Sequence, residues 1–281
     1  MSAAEEAHPA SGGPYRAFDA GKTHPSRRYD YWLGGKDNFA ADRTSGDQIA
    51  NVFPTIRQAA IENRRFLQRA VSYLVREAGI TQFLDLGTGI PTSPNVHEIA
   101  QGIAPASRIV YVDHDPLVVA HGRALTTSTP EGATAYLHGD LREPETILDN
   151  PVLSEVLDFD RPIGLLLVAV LHFLTDADAP YDVVHHLIEA LPAGSYLALS
   201  HATLDPLPAD TAERLSALAD PASGHGAFRF RTREETSRFL DALDLVEPGL
   251  TPIVDWRSNA HPQPRASAEE TAGYVAVARV P

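Results

Sequence analysis

The sequence predicts an α/β protein built on an open, mostly parallel sheet, and three observations carry that expectation. Short apolar runs alternate with helical patterns from Gln82 to His201, the βαβ rhythm of a parallel sheet with right-handed crossovers. The longest apolar run, Ile163 to Leu171, has the length of a strand buried on both faces. A third run, Phe83-Leu84-Asp85-Leu86, passes directly into Gly87-Thr88-Gly89, at the end of a strand where open α/β sheets bind ligands.

Taken in order, residues 1–24 are rich in Ala, Gly, Ser and Pro and are expected to form a loose or disordered tail. Residues 25–78 are expected to form a helical N-terminal cap or lid. Within it, the aromatics Tyr29, Tyr31 and Trp32 followed by Gly34-Gly35 suggest a short helix breaking into a loop that ends at Phe39. Ala40 to Arg76 reads as helical, with Ile56, Ala59, Ala60, Asn63, Phe66, Leu67, Ala70, Val71 and Leu74 on one face and Gly79 as the terminating cap. The core then spans 79–281. Its strands are expected at Gln82–Leu86, Arg108–Val112, Ala133–His138, Ile163–Val170 and Ser195–His201. Helices are expected from Ser93-Pro94, from Pro116 to about Thr126, and from Ala179 to Ala190. A helical insertion, 205–242, holds Thr211–Ala219 and Arg233–Leu243. Strands return at about Leu250–Trp256 and Gly273–Val280, around a polar loop at Ser258–Ala268.

Composition excludes several classes. With 281 residues and 43% hydrophobic content the chain can bury a large core. The absence of cysteine removes disulfides, thiolate metal sites and a cysteine nucleophile. A net charge of -14 argues against a broad nucleic-acid surface. No apolar run reaches the roughly 18–20 residues of a membrane span, and Met1 to Pro14 lacks the pattern of a signal peptide. A cytoplasmic protein without a membrane partner is expected. His185 and His186 are adjacent, so on a helix they point apart and cannot chelate together; no metal is expected.

The chemistry sits at strand ends. Glycines at 87 and 89 let a backbone approach a ligand that a Cβ would hold away, although a tight turn with no ligand uses the same residues. A dinucleotide fingerprint wants a third glycine near Thr92, and Pro91 and Pro94 lengthen the loop instead, so pyrophosphate recognition is disfavoured. Asp85 suits a ligand with an ammonium group. Asp113, at the end of the second apolar run and followed by His114, can accept hydrogen bonds from a ribose diol. Asp115 reads as a helix N-cap ahead of Pro116. In His138-Gly139-Asp140-Leu141, the Asp140 carboxylate can accept an adenine amino group while the Leu141 amide meets a ring nitrogen.

Gly87-Thr88-Gly89, Asp113 and Gly139-Asp140-Leu141 resemble the successive cofactor motifs of class I methyltransferases. More closely, Tyr29-Asp30-Tyr31 through Gly34-Gly35-Lys36-Asp37-Asn38-Phe39, Asn63-Arg64-Arg65-Phe66-Leu67, Leu165–Phe173 and Leu199–Thr203 resemble a bacterial S-adenosylmethionine methyltransferase family first catalogued as a domain of unknown function. The resemblance runs from about Ser26 onward. It implies a Rossmann-like class I fold: a seven-stranded, mainly parallel sheet whose last strand is antiparallel. The helical cap precedes this sheet, and the helical insertion comes before its last two strands. It also implies S-adenosyl-L-methionine as cofactor, with S-adenosyl-L-homocysteine as product.

The expected reaction is in-line methyl transfer to a small-molecule acceptor, in which the protein chiefly aligns donor and acceptor. His172 and His201 could each take a proton from the acceptor, or simply cap a strand or pack against the cofactor. Carbonyls around Val168 and Ala169 could meet the cofactor's ammonium group. Tyr31 or Asn38 could touch its methionine part from the lid, and Asn63, Arg64 or Arg65 its carboxylate. The insertion, with Phe228-Arg229-Phe230-Arg231, is expected to line the acceptor pocket, its arginines hinting at an anionic acceptor. A non-catalytic module binding S-adenosylmethionine or its product, and a nicotinamide-dependent oxidoreductase, are the rival readings.

Overall fold

The computed structural model describes residues 19–258 and 265–281. Most of the tail expected at 1–24, and the centre of the loop expected at 258–268, lie outside them. Three helices come first: α1 (Pro25–Trp32), α2 (Ala40–Val52) and α3 (Ile56–Arg76). Strands and helices then alternate: β1 (Gln82–Leu86), α4 (Val96–Ile103), β2 (Arg108–Asp113), α5 (Pro116–Leu125) and β3 (Ala133–His138). These are followed by α6 (Pro144–Leu148), α7 (Pro151–Val156), β4 (Gly164–Val168), α8 (Pro180–Glu189) and β5 (Tyr196–Ala202). The rest comprises α9 (Ala209–Leu218), α10 (Arg233–Ser237), β6 (Asp244–Leu245), β7 (Thr251–Pro252), α11 (Ala268–Thr271) and β8 (Gly273–Arg279).

The strands form one eight-stranded sheet in the order β3-β2-β1-β4-β5-β8-β6, with β7 also pairing with β8. β1 to β5 are parallel, and β8 runs antiparallel to its neighbours. Chain order therefore reverses between β1 and β4. That crevice at the carboxyl ends of the strands is where a ligand finds backbone and side chains converging.

Period-two alternation sorts the strand residues onto two buried faces. Phe83, Ile109, Tyr111 and Leu166 pack with Phe66, Ala70 and Leu74 of α3 and Val96 of α4. Leu84, Leu86, Val110, Leu165 and Leu167 pack on the other face with Ile147, Leu153 and Val184 from α6, α7 and α8. Asp85 shares the α3 face with Phe83, which sets the environment of its carboxylate. A third, smaller cluster joins Phe53, Ala59, Leu215 and Ala272 above the strand ends.

Two expectations need correction. The run at 250–256 is not one strand. Glu247-Pro248-Gly249 breaks the chain ahead of it, and Pro252, which has no N–H, ends the two-residue β7. Ile253 and Trp256 instead turn into the core, where Arg69 of α3 donates to their carbonyl oxygens at 2.9 and 2.7 Å. Nor does α4 begin at Ser93-Pro94. Its cap is Asn95, whose N–H donates to Glu98 at 2.5 Å while its Oδ1 accepts from the Thr92 N–H at 2.9 Å. No helix among the described residues is long and apolar enough to cross a membrane.

Candidate active site

The turn after β1 is held by main-chain bonds, with the Gly87 and Thr88 N–H groups donating to Val112 O at 2.8 and 3.2 Å. Gly87 and Gly89 have φ of 71° and 69°, the left-handed region that favours glycine. A Cβ added to Gly87 would lie 2.3 Å from a Val170 methyl. Backbone conformation and the neighbouring loop thus both require glycine at 87, whereas at 89 only the positive φ does.

Two buried carboxyl groups flank this turn. Asp113 ends β2 and accepts from the Gly89 N–H at 2.8 Å and from the Asp115 N–H at 2.9 Å. Burial raises its carboxyl above the ordinary value despite those bonds. Asp85 is pushed up to about 7 by burial, against the hydrogen bond of Thr88 and the charge of Arg64. Asp115 caps α5, accepting from the Leu117 N–H at 2.9 Å. His114 stands half exposed at the rim, its ring centroid 5.2 Å from that of His24.

At the end of β3, Asp140 is gripped by Arg142 through both carboxylate oxygens, at 2.9 Å and 3.1 Å from Nε. Burial works to raise the Asp140 carboxyl, and the bonds and charge of Arg142 outweigh it, leaving it below the ordinary value. The end of β4 brings Val168 and Ala169, the latter at φ 57° with its N–H on Ser200 Oγ at 2.8 Å. An alanine in that conformation is strained, which fits a position where the chain must turn sharply at a site.

These groups line one cavity of about 460 Å³, within the size range of small-molecule sites. Asp85, Gly87, Thr88, Gly89, Asp113, His114, Asp140, Leu141, Val168, His172 and His201 all reach it. Tyr31 does not. Its hydroxyl donates to Asp47 at 2.7 Å and its ring lies under the Arg57 guanidinium, so the helical turn carries it away from the strand ends. Asn38 is likewise spent on Asp30, at 2.8 Å. The α1 tyrosine that does line the cavity is Tyr29, one position along α1 from Asp30. Tyr29 donates to Ala60 O at 3.0 Å and accepts from Asn63 Nδ2 at 2.9 Å. That leaves Asn63 Oδ1 buried without a partner at the cavity wall. Arg64 also lines the cavity and ties down the α4 approach by donating to Thr92 O and Pro94 O at 2.5 and 2.8 Å. Arg65 instead pairs with Glu62 at 2.6 Å.

The two histidines differ. His201 has both ring nitrogens engaged, Nδ1 with Ala202 O at 2.8 Å and Nε2 with Arg231 at 3.1 Å. A guanidinium can only donate, so Nε2 accepts and the proton sits on Nδ1. Burial pushes this imidazole down to about 3. His201 therefore has no nitrogen to offer an acceptor, and the expectation of a base at this position is withdrawn. His172 follows β4 in a 3-10 turn (Leu171–Phe173), with its ring stacked on Phe228 at 4.5 Å and its Nδ1 buried without a partner. Burial, then the neighbouring His201 and Arg231, hold it well below the ordinary histidine range, so it is neutral near pH 7.

Arg231, expected with Arg229 to hint at an anionic acceptor, is instead buried and donates to Leu171 O, Leu174 O and Asp176. Arg229 pairs with Asp176 and Glu235. Neither arginine lines the cavity, whereas Phe228 and Phe230 do. Their strict alternation was the signal: in an extended segment, aromatics on one side place both arginines on the other. The insertion does line the cavity, through Leu215 and Leu218 of α9 as well as these aromatics. Among the described residues no cluster of three or more histidine or acidic side chains could hold a metal ion.

Comparison with known proteins adds to this geometry. The family model described as S-adenosyl methyltransferase matches residues 12–281. A DUF574 family protein from Streptomyces avermitilis MA-4680 is 44% identical, with 92% of this chain and 98% of that chain covered and a TM-score of 0.88. A crystal structure solved as a candidate methyltransferase from Thermobifida fusca YX is 40% identical, covering 92% and 96% of the two chains, with a TM-score of 0.84. Among curated proteins nothing matches. With nearly its whole length matched in sequence and in topology, this chain belongs to the S-adenosyl methyltransferase family.

Proposed function

We propose that the chain is a methyltransferase that binds S-adenosylmethionine at the β1–β3 strand ends and methylates a small molecule held in the apolar half of the same cavity. The observation that supports this most directly is the pair of buried carboxyl groups, Asp85 and Asp113, on either side of the Gly87–Gly89 turn. A buried carboxylate is costly unless something polar or cationic meets it.

The residues fit that cofactor. Asp113 retains lone pairs for the ribose hydroxyls, and the shape of the glycine turn admits a ligand against bare backbone. Asp85 and the orphaned Asn63 Oδ1 would meet the ammonium group, and Arg64 the carboxylate. Asp140 and Leu141 would frame the adenine. When bound, the cofactor supplies a methyl group already activated on a positively charged sulfur. The protein's own work is alignment and exclusion of water. Where the acceptor must lose a proton, His172, neutral and with Nδ1 unbonded, would be the candidate to take it, while His201 and Arg231 brace each other beside it. A net charge of -14 and a mainly apolar chamber favour a metabolite over a nucleic acid.

Titration calorimetry of the protein with S-adenosylmethionine, S-adenosylhomocysteine and NAD tests the reading. The two sulfur compounds are expected to bind and NAD not to; Asp113→Ala should weaken both by at least tenfold. Tight binding of NAD alone would sink the proposal. Transfer of label from methyl-labelled donor into a metabolite extract then separates an enzyme from a binding module.

A further inference from the structure

One buried cation in the cavity wall has no carboxylate of its own. Arg28, on α1, is only 4% exposed and lines the cavity. Its Nη1 donates to Ser45 Oγ on α2 at 3.2 Å and to the main-chain oxygen of His225 at 2.5 Å. Both partners are neutral. The carboxylate that acts on it, Asp42, is already bonded by Arg27 Nε at 3.0 Å and by the His24 and Phe39 N–H groups at 2.8 and 3.0 Å. Two guanidinium groups thus share one carboxylate.

The unsatisfied part of Arg28 has a specific shape. Both of its bonds leave from Nη1, and its Nε is buried with no partner. The Nε and Nη2 edge of a guanidinium is a flat fork of two parallel N–H donors, matched to a carboxylate or a similar planar oxyanion. An unpaired buried cation is expensive, which favours a ligand that completes it. The donor's amino-acid end does not need this group. Arg64 is the cation acting on Asp85, so a zwitterion there already has one charge of each sign to meet. Arg28 instead touches α2 and the His225 segment, the elements that carry Phe53 and lead to Phe228 and Phe230 around the apolar chamber.

We infer that the acceptor is a small organic anion with an apolar, ring-sized body, its planar oxyanion gripped by the free edge of Arg28 and its body packed against Phe53, Phe228 and Phe230. This rests on the methyltransferase reading, in which the donor fills the Asp85–Asp113 half of the cavity. It differs from the anionic acceptor hinted at by Arg229 and Arg231, whose charges are spent on Asp176 and Glu235.

The test is calorimetry of the full chain, saturated with S-adenosylhomocysteine, against 2-naphthoate and its neutral isostere 2-naphthamide. The acid should bind at least tenfold tighter than the amide. Arg28→Met should erase that difference and change the affinity for S-adenosylhomocysteine less than threefold. Equal binding of acid and amide, or binding of neither, overturns the inference. So does a tenfold loss of S-adenosylhomocysteine affinity in Arg28→Met, which would assign the guanidinium to the donor's carboxylate. The comparison in the unmutated protein holds whether or not the variant folds. If S-adenosylhomocysteine fails to bind at all, the donor reading falls, while the acid–amide comparison without it still reads the charge of the chamber.

Discussion

Asp85 gives the proposed site a pH signature that can be measured. Its carboxyl, raised to about 7 by burial, is about half protonated in the free protein near neutrality. A ligand presenting an ammonium group binds the ionised form, so affinity for S-adenosylhomocysteine should rise roughly tenfold between pH 6 and 7.5 and flatten above. Asp85→Asn should bind more weakly with a flat profile; a flat profile in the unmutated protein would refute the assignment. For stability the sign is the reverse. Because the folded value lies above the unfolded one of about 4, this group's stabilising contribution is full below pH 4 and lost as pH rises through 7. The acidic residues at strand ends were legible in the sequence because a strand delivers its last residue to a known edge. What was not legible is which of two neighbouring α1 tyrosines faces inward: Tyr29 and Tyr31 differ by 200° around a helix, and only packing sets the helix's rotation. The same holds for His201, whose imidazole is silenced by Arg231, a partner 30 positions away.

At the level of elements, α3 was readable because its apolar residues recur with the helical period, and Ala59, Ala60, Asn63, Phe66, Leu67, Ala70, Val71 and Leu74 are buried as that period requires. β6 was not, since a two-residue strand has no period to read, and β7 occupies only two residues of the strand expected at about Leu250–Trp256. The turn that follows β7 does structural work that its sequence disguises. Trp256 is fully buried, with its ring edge-on to Phe66 at 5.5 Å and Tyr73 at 5.9 Å. Trp256→Ala is expected to lower unfolding free energy by about 3–5 kcal/mol. Leu125→Ala, at a 66% exposed side chain, should change it by less than about 0.5 kcal/mol. Urea denaturation of both variants measures the contrast; similar losses would mean that the turn is not an anchor for α3.

For the whole molecule, the cavity lies where helices before the sheet and helices inserted late in the chain meet over the strand ends. A ligand there touches both groups of helices and the sheet, so it binds only the folded chain. S-adenosylhomocysteine at 100 times its dissociation constant should add about 2.7 kcal/mol and raise the melting temperature by roughly 4–6 °C. No shift at that saturation would place the binding elsewhere than in the folded core. The alternating half of the fold was plain from the sequence, while the tail end of the sheet depended on long-range pairing that no local pattern records.

That long-range pairing has a consequence in time. Among the described residues β6 and β7 hydrogen-bond only to β8, and β8 is the one strand that joins them to β5. Synthesis delivers β1 to β5 first and β8 after everything else in the sheet. Until it arrives, the nascent protein carries β5 as an open edge with Leu197, Ala198 and Leu199 on it, a template for pairing with any passing strand. Of the strands in the sheet, β8 is the keystone: a chain cut within residues 205–242 is expected to expose the β5 edge and to aggregate more readily than the full chain, which light scattering of the two compares.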